Sequence, residues 1–190
     1  MEKRFFEDQI FNNIDPETIQ GSSQIFENCK ILNSDLSYAD LSKSIFIDCV
    51  FQDCSLSLVK VNDTGFQNVS FQDCKLTGIN FSGCKDFSLS LSFAGCNLDY
   101  AVFHKKKLKG TPFKECSLVE ADFSEADLSK AVFEDCNLNR AVFDRTILKG
   151  ADFTSATNFI IDPETNTLTK AKFSANSLAG LLAKYDLIVK

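Results

Sequence analysis

A large apolar residue recurs at every fifth position over a long stretch of the chain. Between Thr111 and Phe143 these positions are held by Phe113, Leu118, Phe123, Leu128, Phe133, Leu138 and Phe143. A small residue (threonine, cysteine or alanine) stands two places before each of them. Five residues advance an α-helix by about 500°, so the large residues form no helical face. In a flat strand they would alternate between the two faces of the sheet. The period therefore excludes both regular elements.

A corner in every repeat removes this conflict. The small and the large residue are two apart, so they share one face where the chain is extended. A chain that turns the same way at each corner winds into a solenoid. Residues twenty apart match best, and one such column contains Phe93, Phe113, Phe133, Phe153 and Phe173. Four repeats per turn predict an all-β solenoid of about eight square coils.

Several repeats are similar to the motif A-[DN]-[LF]-x-x of the pentapeptide-repeat proteins. The matching segments are ADLSK at 39–43, ADFSE at 121–125, ADLSK at 126–130 and ADFTS at 151–155. The resemblance covers about Phe26–Phe153, and such an unbroken register is specific to repeat architectures. It implies a right-handed quadrilateral β-helix.

The register also predicts how one domain, residues 1–190, is organised. Residues 1–25 form an atypical cap coil, and residues 26–81 and 93–153 form regular coils. Between them, residues 83–92 break the register, because Asp86 occupies an expected apolar position. The register resumes at Phe93, shifted by two residues. A bulge at 83–92 would therefore stack Phe71 under Phe93 and Leu76 under Leu98.

The last segment, residues 154–190, departs from the repeat and forms a C-terminal module. Ser174 is a suitable N-cap for a short α-helix that ends near Lys184. The apolar stripe of that helix contains Leu178, Leu181, Leu182 and Tyr185. The helix covers the open strand edges at the end of the solenoid. It acts either as a simple cap or as a cap that also pairs two subunits into a homodimer.

The cysteines and the single histidine predict no catalytic residues, no metal site and no cofactor. All eight cysteines fall in the register of the small inward position, which favours buried, reduced thiols. The sequence has no CxxC pair, and His104 is its only histidine. His104 follows the inward Phe103, so we expect it to point outward, away from any nucleophile. We therefore expect a protein that is not an enzyme.

Acidic residues recur at a fixed place in the repeat. The motif F-x-[DE]-C predicts that Asp53, Asp73, Glu115 and Asp135 line one edge, with a gap at Gly95. Asp122, Glu125 and Asp127 are outward neighbours. These acids either satisfy turn amides and keep the rod soluble, or they bind a basic groove of a partner. The net charge of −6 disfavours direct binding of nucleic acid. No run approaches membrane-spanning length, which favours a soluble, cytoplasmic protein.

Four lysines, Lys105, Lys106, Lys107 and Lys109, interrupt this acidic sequence. Lys106 takes a small inward position, where an unpaired ammonium group would be costly to bury. We therefore expect the backbone to bulge and to turn Lys106 outward. The patch is either a solvated loop or a loop that contacts a partner.

The C-terminal pattern NFIIDPETNTLTKAKFS, followed by a leucine-rich helix, resembles the end of one pentapeptide-repeat subgroup. That subgroup protects DNA gyrase and includes quinolone-resistance proteins and albicidin- or microcin-immunity proteins. The resemblance implies an acidic, dimeric rod that mimics DNA, binds gyrase or a related type II topoisomerase and protects it from a toxin or drug. The alternative is a structural or adaptor β-helix that binds an unrelated protein through the lysine patch.

Overall fold

The computed structural model describes residues 4–19, 23–185 and 187. These residues form a right-handed quadrilateral β-helix of about eight coils, as the five-residue register predicts. The strands are β1 (Phe5–Glu7), β2 (Ile10–Asn12), β3 (Ile25–Glu27), β4 (Lys30–Leu32), β5 (Ile45–Ile47), β6 (Val50–Gln52), β7 (Gly65–Gln67), β8 (Val69–Gln72), β9 (Leu91–Ala94), β10 (Pro112–Lys114), β11 (Val132–Glu134), β12 (Asp152–Phe153) and β13 (Lys172–Phe173). The helical segments are α1 (Pro16–Ile19), α2 (Ala179–Leu182) and 3-10 turns at Phe81–Gly83, Ala175–Ser177 and Ala183–Tyr185.

The four sides of the coil differ in how much regular sheet they contain. One side carries the parallel sheet β1-β3-β5-β7, and the next carries the parallel sheet that runs from β2 through β4, β6, β8, β9, β10, β11 and β12 to β13. Single parallel bridges line the other two sides, for example Asp35 with Ser55 and Asp122 with Val142. The partners in both kinds of side lie twenty residues apart outside the bulge. The predicted square coil is confirmed.

A left-handed residue makes each corner. It stands two places after the large apolar residue, as at Asp53 (φ 53°), Glu115 (φ 52°) and Lys130 (φ 61°). Its N–H donates to a carbonyl of the next coil; that of Asp53 reaches the Gln72 oxygen at 3.0 Å. Asn, Asp and Gly adopt this conformation most easily. Corner residues therefore stack in columns and project outward.

Phenylalanine stacks fill the interior. The column Phe51, Phe71, Phe93, Phe113, Phe133, Phe153 and Phe173 is stacked face to face, with ring centroids 4.7 Å apart at the closest pair. A second stack, which contains Phe81, Phe103, Phe123 and Phe143, meets the first edge to face. The centroid distances of the first stack, 4.7–5.4 Å, are close to the spacing of neighbouring strands, so each ring contacts the rings above and below it.

The eight cysteines lie buried and free at the small inward position. The thiol of Cys54 donates to the Ile31 carbonyl of the preceding coil at 3.4 Å. Burial raises the pKa of the Cys49 thiol to about 11 and that of the Cys84 thiol to about 12. The Cys49 and Cys84 thiols therefore stay protonated at neutral pH and pack as small hydrophobic side chains.

The two extra residues of the bulge lie where the sequence places them. Val69 pairs with Leu91 and Phe71 pairs with Phe93, so the columns continue past the insertion. The rings of Phe71 and Phe93 stack with centroids 5.4 Å apart. In the segment that joins these two coils, the chain turns at residues 87–88. The Phe87 side chain is 88% exposed at that turn.

The C-terminal helical segment lies where the sequence predicts it, from just after Ser174 to Tyr185. The Ser174 hydroxyl accepts a hydrogen bond from the Asn176 N–H, which confirms the N-cap. The helix is nevertheless split into 3-10 and α turns that end at Tyr185. Gly180 packs so closely on the solenoid that an added Cβ would lie 2.3 Å from the Phe159 carbonyl oxygen. Its own carbonyl accepts a hydrogen bond from Ile161, and this contact holds the short helix to the coil.

The proposed division of the chain remains a prediction. In the cap coil, β1 and β2 pair with the next coil and Ile19 is fully buried. The parts of the cap at 1–3 and 20–22, and the parts of the C-terminal module at 186 and 188–190, lie outside the described residues.

The expectation that Lys106 turns outward is wrong. Lys106 is 4% exposed, and its ammonium group donates to the Cys84 carbonyl at 2.8 Å and to Asp86 Oδ1 at 2.9 Å. The backbone does not bulge, since Lys106 N–H donates to the Phe103 carbonyl as in other corners and Lys107 pairs with Asp127. The bulge at 83–92 carries Asp86 to this position, so the buried ammonium group has an ionic partner. Residues 104–110 are consequently a regular part of the coil and not a loop.

Removal of Asp86 should destabilise the protein. We expect Asp86→Ala to lower the free energy of unfolding by about 1–3 kcal/mol, because it leaves a buried ammonium group with one acceptor. Lys106→Met should have a small effect, and the double variant should recover most of the loss. Urea denaturation of the four proteins measures the coupling. Equal stabilities of the wild type and Asp86→Ala would show that the pair is not coupled.

Candidate interaction surface

The four acids predicted to share an edge stand on successive or nearly successive corners of one column. Asp53, Asp73, Glu115 and Asp135 all have left-handed φ values between 51° and 53°. Each precedes an inward cysteine, so its side chain points away from the core. We call these four residues the acidic edge. With coils about 4.8 Å apart, the edge extends over roughly 19 Å from Asp53 to Asp135.

The carboxylates of the acidic edge are exposed. Asp53 accepts a long hydrogen bond from Gln52 (3.2 Å), and Glu115 lies 3.8 Å from the ammonium group of Lys114. At the gap, the Asp73 carboxylate leans over Gly95, where an added Cβ would lie 2.2 Å from Asp73 Oδ1. Glycine thus leaves room for the acid of the neighbouring coil, and the edge is negative along its length.

The other three predicted acids do not lie on this edge. Asp122 and Asp127 lie on the sides of the coil, and each accepts the N–H of the serine two places ahead, Ser124 at 2.8 Å and Ser129 at 2.9 Å. Glu125 stands on another corner, between Lys105 at 3.6 Å and Arg145 at 3.4 Å. These contacts are those of turn and ion-pair residues. The seven acids therefore separate into one exposed edge, with long contacts at Asp53 and Glu115, and three residues held by turn or ion-pair contacts.

The four predicted lysines differ in their exposure and in their ion pairs. Lys106 is buried and Lys105 pairs with Glu125. Of these four lysines, Lys107 and Lys109 are the two that are exposed and form no ion pair with the described residues. Lys109 joins a second group that the sequence analysis missed. It lines a cleft of ≈ 550 Å³ together with Ser129, Lys130, Lys149, Gly150 and Lys170.

The predicted C-terminal stripe is partly covered. Leu181 packs against the core, whereas Leu178, Leu182 and Tyr185 are 45%, 37% and 50% exposed. The helix is held to the preceding turn by Lys184, which pairs with Asp162 and Glu164 at 2.7 Å each. Three apolar side chains at the end of the rod are thus open to a partner.

Large apolar side chains also stand at a corner where they are not expected. Tyr38, Leu58 and Tyr100 share one column, are 72%, 51% and 54% exposed, and have φ values of 63°, 54° and 61°. Bulky residues are disfavoured in this conformation. Their place in the repeat is visible in the sequence, but neither their exposure nor their column was recognised from it. Phe87, outside the register, was missed as well.

Among the residues that the structure describes, no group of three His, Cys, Asp or Glu side chains is arranged to hold a metal ion. No helix in this part of the chain is long and apolar enough to cross a bilayer. One surface cleft is lined mainly by serine, threonine, asparagine and alanine residues, and another mainly by lysine residues. What the described surface offers is charge and apolar contact area for binding.

Short hydrogen bonds in the turns hold several carboxylates in their charged form. The Thr154 hydroxyl and N–H, together with Lys172 at 3.0 Å, lower the pKa of Asp152 below its ordinary value. The hydroxyl and N–H of Ser42 lower the pKa of Asp40 in the same way. Acids in turns therefore contribute to stability as carboxylates.

This predicts a loss of stability in acid. A lowered folded-state pKa contributes stability above the unfolded value, near 3.9, and that contribution is lost as the pH falls through the folded-state pKa. We expect Thr154→Ala to raise the pKa of Asp152 in a carboxyl-detected NMR titration and to leave that of Asp40 unchanged. Ser42→Ala should do the reverse. An ordinary pKa for Asp152 in the wild type would contradict the assignment.

Comparison with known proteins gives the following relations. Residues 24–103 match a family model described as a pentapeptide repeat region, and residues 116–154 match one described as pentapeptide repeats in 8 copies. No curated protein sequence matched the chain. The chain is similar to a solved structure of trypsin-treated QnrB1, a plasmid-mediated fluoroquinolone resistance protein, with 23% sequence identity and a TM-score of 0.51. The alignment covers 99% of this chain and 98% of the QnrB1 chain. HetL, a pentapeptide repeat protein involved in heterocyst differentiation regulation from the cyanobacterium Nostoc sp. strain PCC 7120, is 17% identical with a TM-score of 0.42 and coverages of 90% and 89%.

Proposed function

The chain belongs to the pentapeptide-repeat family, and from that premise we propose that it is a non-catalytic protein that binds DNA gyrase or a related type II topoisomerase. The acidic edge takes the place of a DNA backbone in the basic groove of the enzyme. By occupying that groove the protein protects the topoisomerase from a toxin or drug. Its place of action is the cytoplasm, where the enzyme acts on DNA.

The observation that carries this proposal is the open row of carboxylates at Asp53, Asp73, Glu115 and Asp135. Backbone phosphates are spaced about 3.4 Å along each strand of duplex DNA, against about 4.8 Å between coils. The mimicry is therefore approximate in spacing but correct in sign and linear arrangement. Lysine and arginine side chains of a DNA-binding groove are flexible enough to follow either spacing. A fluoroquinolone resistance protein has the same fold from end to end.

A supercoiling assay tests the proposal. Gyrase is poisoned with a fluoroquinolone, albicidin or a microcin, and the protein is added in increasing amounts. We expect the wild type to restore supercoiling or to change it without poison. The variant D53N/D73N/E115Q/D135N should need at least a tenfold higher concentration, because it lacks the charges that contact the groove.

The matched control is D8N/E17Q/D48N/D63N. It removes the same number of charges from exposed acids away from the acidic edge, so it should behave like the wild type. If the wild type neither rescues nor alters supercoiling with any of the poisons, the gyrase proposal is wrong. Equal loss in both variants would show that net charge, and not the acidic edge, is responsible.

We further propose that two subunits pair through their C-terminal ends. The exposed side chains of Leu178, Leu182 and Tyr185 supply an apolar contact that a twofold axis can bury on both chains. Leu181 stabilises the helix from the inside and does not take part in the contact. Such a dimer doubles the length of the acidic edge.

Light scattering after size-exclusion chromatography tests this pairing. The wild type should elute at about twice the subunit mass of 21.2 kDa, and Leu178→Asp should shift it to the monomer, because a carboxylate would be buried in the contact. Leu58→Asp, which alters an exposed leucine on the side of the rod, is the control and should remain dimeric. A monomeric wild type at micromolar concentration would contradict the proposal.

A second candidate is an adaptor that binds an unrelated protein. It is favoured by the exposed Lys107 and Lys109 and by the exposed apolar side chains of Tyr38, Leu58 and Tyr100 at one corner of the coil. An adaptor of this kind should bind its partner equally well after the acidic edge is neutralised. The D53N/D73N/E115Q/D135N variant therefore separates the two functions.

A further inference from the structure

Four lysines converge on one corner of the last regular coils. Lys109, Lys130, Lys149 and Lys170 line a single cleft of ≈ 550 Å³ with Ser129 and Gly150. We call this group the lysine cleft. From it we infer that the protein binds a compact anion that carries several phosphate groups, such as a nucleoside triphosphate or inorganic tripolyphosphate. This inference does not depend on the proposed function.

The ammonium groups of the cleft are not balanced by carboxylates. All four lysines are exposed, and none forms an ion pair within residues 4–19, 23–185 and 187. Acids on the two flanking sides make contacts with other residues. Asp127 accepts hydrogen bonds from Ser129, and Asp152 pairs with Lys172 at 3.0 Å. In a chain of net charge −6, four adjacent unpaired cations are a local excess that an anion would relieve.

Glycine gives the cleft its depth. The corner column here reads Gly110, Lys130, Gly150 and Lys170, so alternate corners lack a side chain. A Cβ at Gly110 would meet no atom within 4 Å, which shows open space at that notch. The lysines of the intervening coils, Lys109 and Lys149, come from the position before the corner. The four lysine side chains therefore start from two neighbouring positions of the repeat in alternate coils, around the space left at the glycine corners.

The donors available to a ligand are the lysine side chains. The corner N–H groups of Gly110, Lys130 and Gly150 already donate to carbonyls of the next coil at 2.9 Å. Binding must therefore rest on charge from flexible ammonium groups, which suits phosphate groups without fixed geometry. Such binding weakens as salt is added.

The surroundings favour a short anion over a long polymer. Towards the N-terminus the same corner column carries Asp48 and Asp8. Five residues further along the chain from Gly110 and Lys130, across one side of the coil, stand Glu115 and Asp135 of the acidic edge. A nucleic acid strand that extended from the cleft towards the N-terminus, or across this side of the coil, would meet these carboxylates. A cleft of this size is within the range of small-molecule sites.

Isothermal titration calorimetry with sodium tripolyphosphate at low salt tests the inference. The wild type should bind one equivalent, and Lys130→Gln with Lys149→Gln should weaken the affinity at least tenfold. The control Lys60→Gln with Lys75→Gln removes two exposed lysines from another part of the rod and should bind like the wild type. Thermal unfolding followed by circular dichroism checks that all variants are folded.

Three further probes fix the class of ligand. ATP should bind through the same lysines if the source is a nucleotide, and only tripolyphosphate should bind if it is inorganic; either result supports the inference. Inorganic phosphate should bind at least tenfold more weakly than tripolyphosphate. No binding, equal loss in both lysine variants, or tighter binding of a single-stranded 20-mer oligonucleotide would overturn it. Self-association that depends on Lys130 and Lys149 without ligand would also overturn it, in favour of a second copy of the chain.

Discussion

The left-handed corner in every repeat is the constraint on which the rest of the structure depends. A period of five keeps small and large residues inward only if the chain turns after each large residue, and residues such as Asp53 and Lys130 make that turn with positive φ. The corner N–H bonds to the next coil, so every corner is fixed relative to the one above. Four straight columns of outward side chains result. Each column forms a linear surface, and its side chains can vary without any change in the residues of the core.

The inward small position is less restrictive than its name implies. A carbonyl of the preceding coil faces it, and side chains that can donate use that oxygen: Thr64 bonds to Leu41, Cys84 to Val61, Thr146 to Phe123 and Asn166 to Phe143, all at 2.9–3.3 Å. Lys106 stands in the same column and bonds to the Cys84 carbonyl at 2.8 Å. A buried donor is acceptable here because its partner is built into the backbone. The cysteines of the neighbouring columns use the same arrangement, which explains why thiols replace alanine so often.

The sequence was sufficient for features that repeat, and insufficient for those that depend on an exception. The register alone predicted the coils, the continuation of the columns from Phe71 to Phe93 and the corner position of the acidic edge. It failed at Lys106, because the partner Asp86 is supplied by the irregular bulge. It also missed the lysine cleft. Its members are spaced by 21, 19 and 21 residues, since they alternate between two neighbouring positions of the repeat, and a search for columns of twenty does not connect them.

One side of the coil carries negative charge at one of its two corners and positive charge at the other, so its charge distribution is asymmetric. The nine-stranded sheet side begins at the corner of the lysine cleft and ends at the corner of the acidic edge, and both are present in the coils that contain Glu115 and Asp135. Side chains at the two corners diverge, so they do not neutralise each other across the side. A duplex of DNA is negative on both strands, whereas this side is negative along one edge and positive along the other. On the proposed function, a basic groove would accept the rod in one rotational setting only, with the lysine cleft turned away from the groove. Charge complementarity of this kind selects an orientation of the partner more strongly than it raises affinity, and in the proposed complex it would leave the lysine cleft free to bind a ligand while the acidic edge is occupied.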